Sequence, residues 1–291
     1  MKLATKILVV AGMAAMLVTK PLLAGDGKTF KDKVVVEEAR KWWGASLSTG
    51  WDSLYMFRGV NVLRFGDSGK QSYGSSLYWT QLNLSFMPTA NDTITLGSWM
   101  AFGIGRTSYK ELDLTANYTH TFGDLALGVG YTFYYYLASE LYQNELNATA
   151  AYTFHLPWDS ITVTPSLTYF FNLGPDYHNF DRGTGAVETA SSYLYARVDS
   201  NIPLYKDILA LAPWIGFGTS FDFNPKVDDS SSSGFEFFTG ANNLEMGLGL
   251  PIKINNTISL YAYGAYSYQW YGLVGTNPST FWGGAKVTFS F

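Results

Sequence analysis

The sequence predicts an all-β fold, a closed antiparallel transmembrane β-barrel of about twelve strands. From Gly44 onward, apolar and polar residues alternate in units of about ten to thirteen, long enough to cross a bilayer as tilted strands. The breaks between these units are alternately short and long. Aromatic residues make up 17% of the chain and charged residues 14%, without a long apolar run after residue 24. This composition favours alternating strands over membrane-spanning helices.

Twelve alternating segments are expected to form the strands. They cover residues 44–58, 74–87, 93–103, 110–122, 125–136, 142–154, 161–172, 190–202, 209–222, 240–252, 257–270 and 280–291. A period of two places neighbouring side chains on opposite faces of a strand. In the fourth segment, for example, Leu112 and Leu114 fall on one face, and the polar residues fall on the other. A soluble β-sandwich also alternates, but the segment lengths and the aromatic segment ends favour the barrel.

The two kinds of break predict a barrel with short periplasmic turns and long external loops. The short breaks, rich in turn-forming residues, cover 88–92, 123–124, 157–160, 203–207 and 255–256. The longer ones cover 59–73, 104–109, 137–141, 173–189, 223–239 and 271–279. Pro165 and Pro213 fall inside predicted strands, where each removes a ladder hydrogen bond, and they are expected to mark bulges.

The chain is expected to have three parts. Residues 1–24 have the pattern of a signal peptide, because Lys2 and Lys6 precede a short apolar stretch. Residues 25–43 do not alternate and are expected to form a periplasmic N-terminal segment, and residues 44–291 form the barrel. The chain contains no cysteine, and 23 acidic against 19 basic side chains argue against binding to nucleic acid.

The last eleven residues carry the first resemblance. Phe281, Val287, Phe289 and Phe291 lie on one face of the final segment, whereas Lys286 lies on the other. An aromatic end after such alternation resembles the assembly signal of bacterial outer-membrane β-barrels of the porin type. The resemblance implies a bacterial outer-membrane location, contact with outer-membrane lipids, and recognition of Phe291 by the barrel-assembly machinery.

A second resemblance lies in the first predicted strand. The stretch Trp51–Val60 resembles an Asp-Ser-x-Tyr-x-Phe-Arg-Gly pattern found on the first strand of a poorly characterised group of bacterial outer-membrane proteins. The resemblance implies no transport activity, because none is assigned to that group. By alternation, Tyr55 and Phe57 are expected to face lipid and Arg58 to point inward, while Gly59 permits the exit into the first long loop.

The barrel interior is the place where this fold concentrates polar side chains. Alternation puts nine ionisable residues there as candidates for lining a pore: Asp52, Arg58, Glu111, Asp113, Glu145, Arg197, Asp199, Glu245 and Lys286. These groups either set the charge preference of a passage or pair with one another in a packed interior. Inward aromatic residues such as Trp79 and Tyr193 either stack on flat solutes or fill the lumen.

The first hypothesis for function is an outer-membrane channel that passes small hydrophilic solutes by passive diffusion. The alternative is a non-conducting barrel with a structural or surface-interaction role. An enzyme is not expected, because His120, His155 and His178 fall at different heights without a shared nucleophile. The sequence predicts no cofactor, metal or catalytic site, and it leaves the oligomeric state and the solute open.

Overall fold

The computed structural model describes residues 42–64, 75–105, 108–138, 140–157, 160–173, 191–226, 236–270 and 279–291. The predicted signal peptide and nearly all of the predicted N-terminal segment, as well as His178, lie outside the described residues. No helix in the described ranges is long and apolar enough to span a membrane.

Twelve long strands dominate the described part of the chain, and each pairs antiparallel with its neighbours. They are β1 (Trp43–Asp52), β2 (Ser76–Phe86), β3 (Asp92–Ile104), β4 (Lys110–Phe122), β5 (Leu125–Tyr136), β6 (Leu141–Tyr152), β7 (Thr162–Asn172), β8 (Ser192–Tyr205), β9 (Leu209–Lys226), β10 (Glu236–Lys253), β11 (Ile258–Gln269) and β12 (Ser279–Ser290).

The barrel is closed by the pairing of its first and last strands. The register of this seam runs from Ser46 opposite Ser290 to Asp52 opposite Gly284. On its other edge β1 pairs with β2 along its whole length, so neither edge of β1 is open. The predicted fold class is therefore confirmed. Closure satisfies the backbone hydrogen-bonding groups that an open edge would expose to hydrocarbon.

The alternation predicted from the sequence separates the two faces of the wall. On β4 and β5 the outward residues Leu114, Phe122 and Val129 are exposed, whereas the inward residues Glu111 and Asp113 are fully buried. On β12 the outward residue Phe281 is 77% exposed. The exposed exterior is therefore apolar and suited to lipid, whereas polar groups are held inside.

The two ends of the barrel differ, but the predicted contrast is only partly found, because the connections β3–β4 and β5–β6, predicted to be longer, have five and four residues. The connections β2–β3, β4–β5, β8–β9 and β10–β11 have at most five residues and lie at one end, which we call the short-turn end. The β6–β7 connection at the same end contains a further two-residue strand, Phe154–His155, which pairs with the start of β7. The connections at the opposite end, the long-loop end, include the four long ones that follow β1, β7, β9 and β11. By the asymmetry of outer-membrane barrels, the short-turn end is periplasmic and the long-loop end is external.

The two prolines do not form the predicted bulges. Pro165 keeps its register opposite Val198, and Pro213 keeps its register opposite Leu248. Each lies where the ladder on its other edge is interrupted, since the pairing of β7 with β6 begins at Ser166 and the pairing of β8 with β9 skips Ser200. A proline without an N–H donor is tolerated beside such a gap, and the strand needs no extra residue.

Candidate functional site

The candidate site is the lumen, and its main feature is a small hairpin formed by the chain directly after β1. Met56–Phe57 pairs antiparallel with Val60–Asn61, and a short 3-10 helix, Val62–Arg64, follows. The two turn residues, Arg58 and Gly59, have φ angles of 46° and 81°. Positive φ at both central positions is the geometry of a tight two-residue turn of type I′. We call residues 53–64 the inner hairpin.

The inner hairpin overturns one expectation from the sequence. Tyr55 and Phe57 do not face lipid, because they are 2% and 1% exposed and pack against inward side chains of the wall. The first strand ends at Asp52 and does not continue to residue 58. Ser53 holds this end, since its N–H donates to the Gly283 carbonyl over 2.8 Å and its hydroxyl accepts from the Gly283 N–H. The chain then turns into the barrel.

One side of the inner hairpin packs against β2 and β3. Tyr55 and Leu63 join a buried cluster that includes Leu77, Trp79 and Trp99. The Tyr55 and Trp99 ring centroids are 5.9 Å apart and tilted by 41°. The Tyr55 hydroxyl also donates to the Glu111 carboxylate over 3.0 Å. The hairpin is thus fixed to this wall by apolar contact and by one hydrogen bond to a buried acid.

The other side packs against the opposite wall through Arg58 and Phe57. The Arg58 guanidinium donates to both carboxylate oxygens of Glu145 over 3.0 and 2.9 Å. It also lies over the rings of Phe170 and Tyr193, 4.1 and 4.7 Å from their centroids. A desolvated cation between a carboxylate and aromatic faces is held from three directions. Phe57 packs with the same two rings.

Two asparagines of β10 complete the cradle of the hairpin turn. The Asn242 side-chain amide donates to the Arg58 carbonyl over 2.8 Å. A Cβ added at Gly59 would lie 2.5 Å from the Cβ of Asn243, so the turn and the wall are in close approach. The inner hairpin therefore contacts β2, β3, β4, β6, β7, β8 and β10, and it bridges the lumen in its external half.

We call the periplasmic half of the lumen, below the inner hairpin, the vestibule. Its inward side chains range from half-buried, as from Thr115 to Thr121 on β4, to buried, as at Thr95 on β3. Arg197 donates from Nε to both carboxylate oxygens of Asp199 over 2.9 Å, and its guanidinium lies 4.2 Å from the Trp214 ring centroid. The Lys286 ammonium lies 5.5 Å from the centroid of the Tyr261 ring. This part of the wall, from β8 to β12, thus carries aromatic rings and cations.

The nine ionisable candidates all lie in the lumen but form separate groups. Glu111 and Glu145 contact the inner hairpin, and Asp113 is buried beside Glu111. Arg197 and Asp199 pair in the vestibule. Asp52 accepts hydrogen bonds from the Trp79 indole over 2.8 Å and from the Tyr263 hydroxyl over 2.7 Å. Glu245 accepts from Tyr195 over 3.0 Å. That these residues line a conducting path stays a prediction.

The sequence reasoning missed the residues that hold the hairpin turn, chiefly Asn242 and Asn243, because no contact across the lumen shows in strand alternation. One signal was available, since Gly59 between two short apolar runs can supply one of the two positive φ angles that a tight hairpin needs. The two described histidines lie at the short-turn end, where His120 contacts Asp92 at 2.7 Å and His155 contacts Asp124 at 3.2 Å.

Comparison with solved structures finds other barrels. An outer membrane channel from Pseudomonas putida F1 is 13% identical, with a TM-score of 0.55 over 90% of this chain and 100% of that chain. The KdgM porin is 10% identical, with a TM-score of 0.47 over 84% of this chain and 99% of that one. The translocator domain of the autotransporter NalP from Neisseria meningitidis is 15% identical, with a TM-score of 0.44 over 88% and 90%. No family model and no curated protein matches the sequence.

The protein has the fold of an outer-membrane β-barrel. At 13% identity the likeness to the Pseudomonas channel extends to the fold alone. Closed barrels with an apolar exterior are the β-structures that a membrane accepts, and in bacteria they belong to the outer membrane. The exposed apolar wall and this fold together place the protein in the bacterial outer membrane.

Proposed function

We propose that the protein is an outer-membrane channel that passes small hydrophilic solutes by passive diffusion. Twelve strands enclose more space than eight, whose inward side chains just fill the interior, and less than the open channels formed by sixteen. The vestibule side chains of Arg197 and Asp199 keep 13% and 33% of their surface exposed, which supports access of water to the periplasmic half. The fold shared with the Pseudomonas protein, itself described as a channel, is consistent with this function.

The observation that carries the proposal is the nature of the obstruction. The external half of the lumen is filled by the inner hairpin, a segment of the chain itself, together with the wall side chains that pack against it, such as Trp99 and Phe170. In the described part of the chain, the inner hairpin is joined to the wall by the ion pair Arg58–Glu145, by hydrogen bonds and by apolar packing, without a covalent link. It therefore narrows a passage that the barrel would otherwise hold open.

The direct test compares the full protein with a variant in which residues 54–63 are replaced by a Gly-Ser linker of equal length. We expect small unitary currents from the wild type in planar bilayers and larger currents from the variant, because the wide part of the lumen is then cleared. Protein incorporation is measured in parallel by quantitative immunoblotting of the membranes. Silent membranes with both proteins at high incorporated density would reject the channel.

A second candidate function is a non-conducting barrel whose surface binds a partner or supports the envelope. The specific observation in its favour is the dense packing around the inner hairpin, where Tyr55, Phe57 and Leu63 are all at most 2% exposed. In that case the wild type is silent, and only the linker variant conducts. The two functions are thus separated by the wild-type current.

We further propose that outer-membrane lipids contact the apolar exterior and that the barrel-assembly machinery recognises Phe291. The backbone of Phe291 is part of the seam, since its N–H donates to the Ala45 carbonyl over 2.9 Å. Phe291→Ala keeps this backbone bond and removes the ring. If the ring is the recognition element, the variant shows a reduced folded fraction in cells but normal refolding in detergent. Equal folding in cells would contradict the proposal.

A further inference from the structure

The walls of the lumen differ in chemistry, and the wall from β4 to β6 is rich in oxygen atoms. All six inward positions of β4 are polar, and they change from buried at the external half to half-buried towards the periplasm. They are Glu111, Asp113, Thr115, Asn117, Thr119 and Thr121. On β6 the inward positions 143 to 149 are likewise polar. The wall from β8 to β12 also carries two acids, Asp199 and Glu245, but it differs in adding the cations Arg197 and Lys286 beside aromatic rings.

Several buried oxygen atoms on the β4–β6 wall have no protein hydrogen-bond donor. Among the described residues these include one carboxylate oxygen of Glu111 and both of Asp113. The hydroxyl of Thr132 and the side-chain amide of Asn147 are also unpartnered, although these residues are 0% and 4% exposed. Buried polar atoms are nearly always paired, so a cluster of unpaired oxygens indicates a missing ligand, either water or an ion.

The two carboxyl groups of the cluster are neighbours. Glu111 and Asp113 lie two residues apart on the same face of β4, and their side chains approach closely enough to interact directly. Two carboxylates in contact repel each other, and burial makes the repulsion more costly. A cation between them would remove this cost. Arg58, the cation of the inner hairpin, donates from Nη2 to the Glu145 carboxylate over 2.9 Å.

The neutral oxygens extend the cluster towards the vestibule. Thr132 pairs with Thr115 on one side and with Glu145 on the other. Asn117 and Asn147 converge from the flanking strands over Gly130, where an added Cβ would lie 2.0 Å from the Asn117 side-chain oxygen and 2.9 Å from that of Asn147. Carboxylate, hydroxyl and amide oxygens are the ligands that hard cations such as Ca²⁺ and the alkali ions prefer.

We propose that Glu111 and Asp113 form the centre of a cation-binding site between the inner hairpin and the β4–β6 wall. The polar ladder of β4 connects this site with the vestibule. The site rests on the proposed channel function only for its consequence in transport, which is a preference of the passage for cations. Calcium is the probe cation, since its oxygen ligands and irregular coordination match two carboxylates supplemented by neutral oxygens.

Terbium luminescence tests the site without any need for conduction. Tb³⁺ replaces Ca²⁺ at oxygen sites and emits when a nearby indole is excited, and Trp99 pairs directly with Asp113 across the β3–β4 ladder. In the full protein, held in an uncharged detergent, we expect sensitised emission that Ca²⁺ displaces. The variant E111Q/D113N should bind terbium at least about tenfold more weakly, because changes even behind a metal ligand cost about 10–100-fold in affinity.

The matched control is Glu245→Gln. Glu245 is a buried lumen acid on the other wall, and it interacts with the Tyr195 hydroxyl and with the Gly59 N–H, two donors that the oxygen of a glutamine also accepts. This variant should keep the wild-type terbium affinity, and heat-dependent gel mobility shows that all variants are folded. Equal terbium emission from the wild type and from E111Q/D113N would overturn the cation site. In that case a proton shared by the two carboxyl groups would explain how they lie together without repulsion.

The consequence for transport is measured separately, as the reversal potential across a bilayer with a KCl gradient. We expect a cation preference in the wild type that falls towards none in E111Q/D113N and persists in Glu245→Gln. Silent membranes together with normal terbium binding would count against the channel and not against the site. A preference for anions in the wild type would overturn the inferred consequence of the site for transport.

Discussion

Arg58 shows how one residue joins two parts of the molecule. Its backbone lies in the left-handed region and forms the corner of the inner hairpin, while its side chain reaches Glu145 on β6. The ion pair is dry, since the two side chains are 3% and 0% exposed. A buried pair adds little net stability, but loss of one partner leaves an uncompensated charge and typically costs about 3–5 kcal/mol.

This asymmetry gives a prediction for Arg58→Met. The substitution keeps most of the side-chain volume but leaves the buried Glu145 carboxylate without its cation. The docked position of the inner hairpin is then less stable, and the hairpin should leave the lumen more often. The double variant R58M/E145M removes both charges and should restore part of the protection. Limited chymotrypsin digestion in detergent, with cleavage at Tyr55 and Phe57 as the readout, measures the release.

Arg197→Met is the control for this comparison, because it also removes an arginine from a lumen ion pair but leaves the inner hairpin intact. It should not increase cleavage in residues 53–64. If the double variant is cleaved as fast as R58M alone, the stranded charge is not the cause of the release.

Gly59 supplies the second prediction at this scale. Gly59→Ala has two effects. It places a residue with a Cβ at a φ of 81°, and the new Cβ lies 2.5 Å from the side chain of Asn243. The backbone strain alone costs about 1–2 kcal/mol. Hydrogen–deuterium exchange of residues 53–64 should therefore accelerate. Gly123→Ala is the matched control. Gly123 lies in the β4–β5 turn with a φ of 61°, but an added Cβ there has no atom within 4 Å. Slow exchange of the hairpin in both variants would contradict the close approach.

At the scale of the elements, the sequence was sufficient for the strands but not for the inner hairpin. The predicted limits of β4 and β5 agree with the structure to the residue, because tight turns end them. The prediction that Tyr55 and Phe57 face lipid is wrong, because both pack inside the lumen. Lipid and a packed lumen are both apolar, so the alternation of residues does not distinguish them. β9 and β10 extend beyond their predicted ends at the long-loop end. Their register shifts after Gly218, but the pairing continues as far as Lys226 opposite Glu236.

The same reasoning limits what could be predicted of the site. The inward position of Glu111 and Asp113 follows from alternation alone, because their neighbours Leu112 and Leu114 need lipid. Their proximity to each other also follows, since they are two residues apart on one strand. The contact of Glu145 with Arg58 did not follow, because the two residues are 87 positions apart and meet only after the chain folds into the barrel.

The alternation of a strand predicts how it tolerates charge. Val129 lies on the outward face of β5, away from both ends, and is 58% exposed. Val129→Arg should reduce the free energy of unfolding by about 2–4 kcal/mol, because the charge enters hydrocarbon. Phe122→Arg, at the short-turn end of β4, should cost only about 0–1 kcal/mol. Guanidinium titrations in lipid vesicles measure both, and equal costs would contradict the outward position or the depth of Val129.

At the scale of the whole molecule, closure of the barrel fixes the position of each strand relative to all the others around the lumen. It brings the polar strands β4 to β6 and the aromatic strands β8 to β12 to different parts of one lumen. The inner hairpin reaches both because β1, from which it starts, lies beside the aromatic wall and the hairpin crosses to Glu111 and Glu145. The lumen is thus organised by topology more than by any single strand.

Closure is tested with introduced cysteines, because the chain has no cysteine of its own. Leu47 and Phe289 are paired across the β1–β12 seam. The variant L47C/F289C should form an intramolecular disulfide on mild oxidation, seen as a mobility shift of the denatured chain on a non-reducing gel. Leu47→Cys combined with Leu127→Cys, on β5, should not. Absence of the seam disulfide in folded protein would contradict the closed ring.

The position of the inner hairpin directly after β1 also sets an order of events during folding. The segment is tethered to Ser53 at the end of β1, and its aromatic partners come from strands made much later, such as Phe170 and Tyr193. Its final docking has to wait until those strands curl around it. The pairing of β12 with β1 then encloses it in the finished barrel. If the seam between β1 and β12 formed before the inner hairpin entered the lumen, the hairpin would be left outside. Correct folding therefore requires that docking of the hairpin precede closure of the seam.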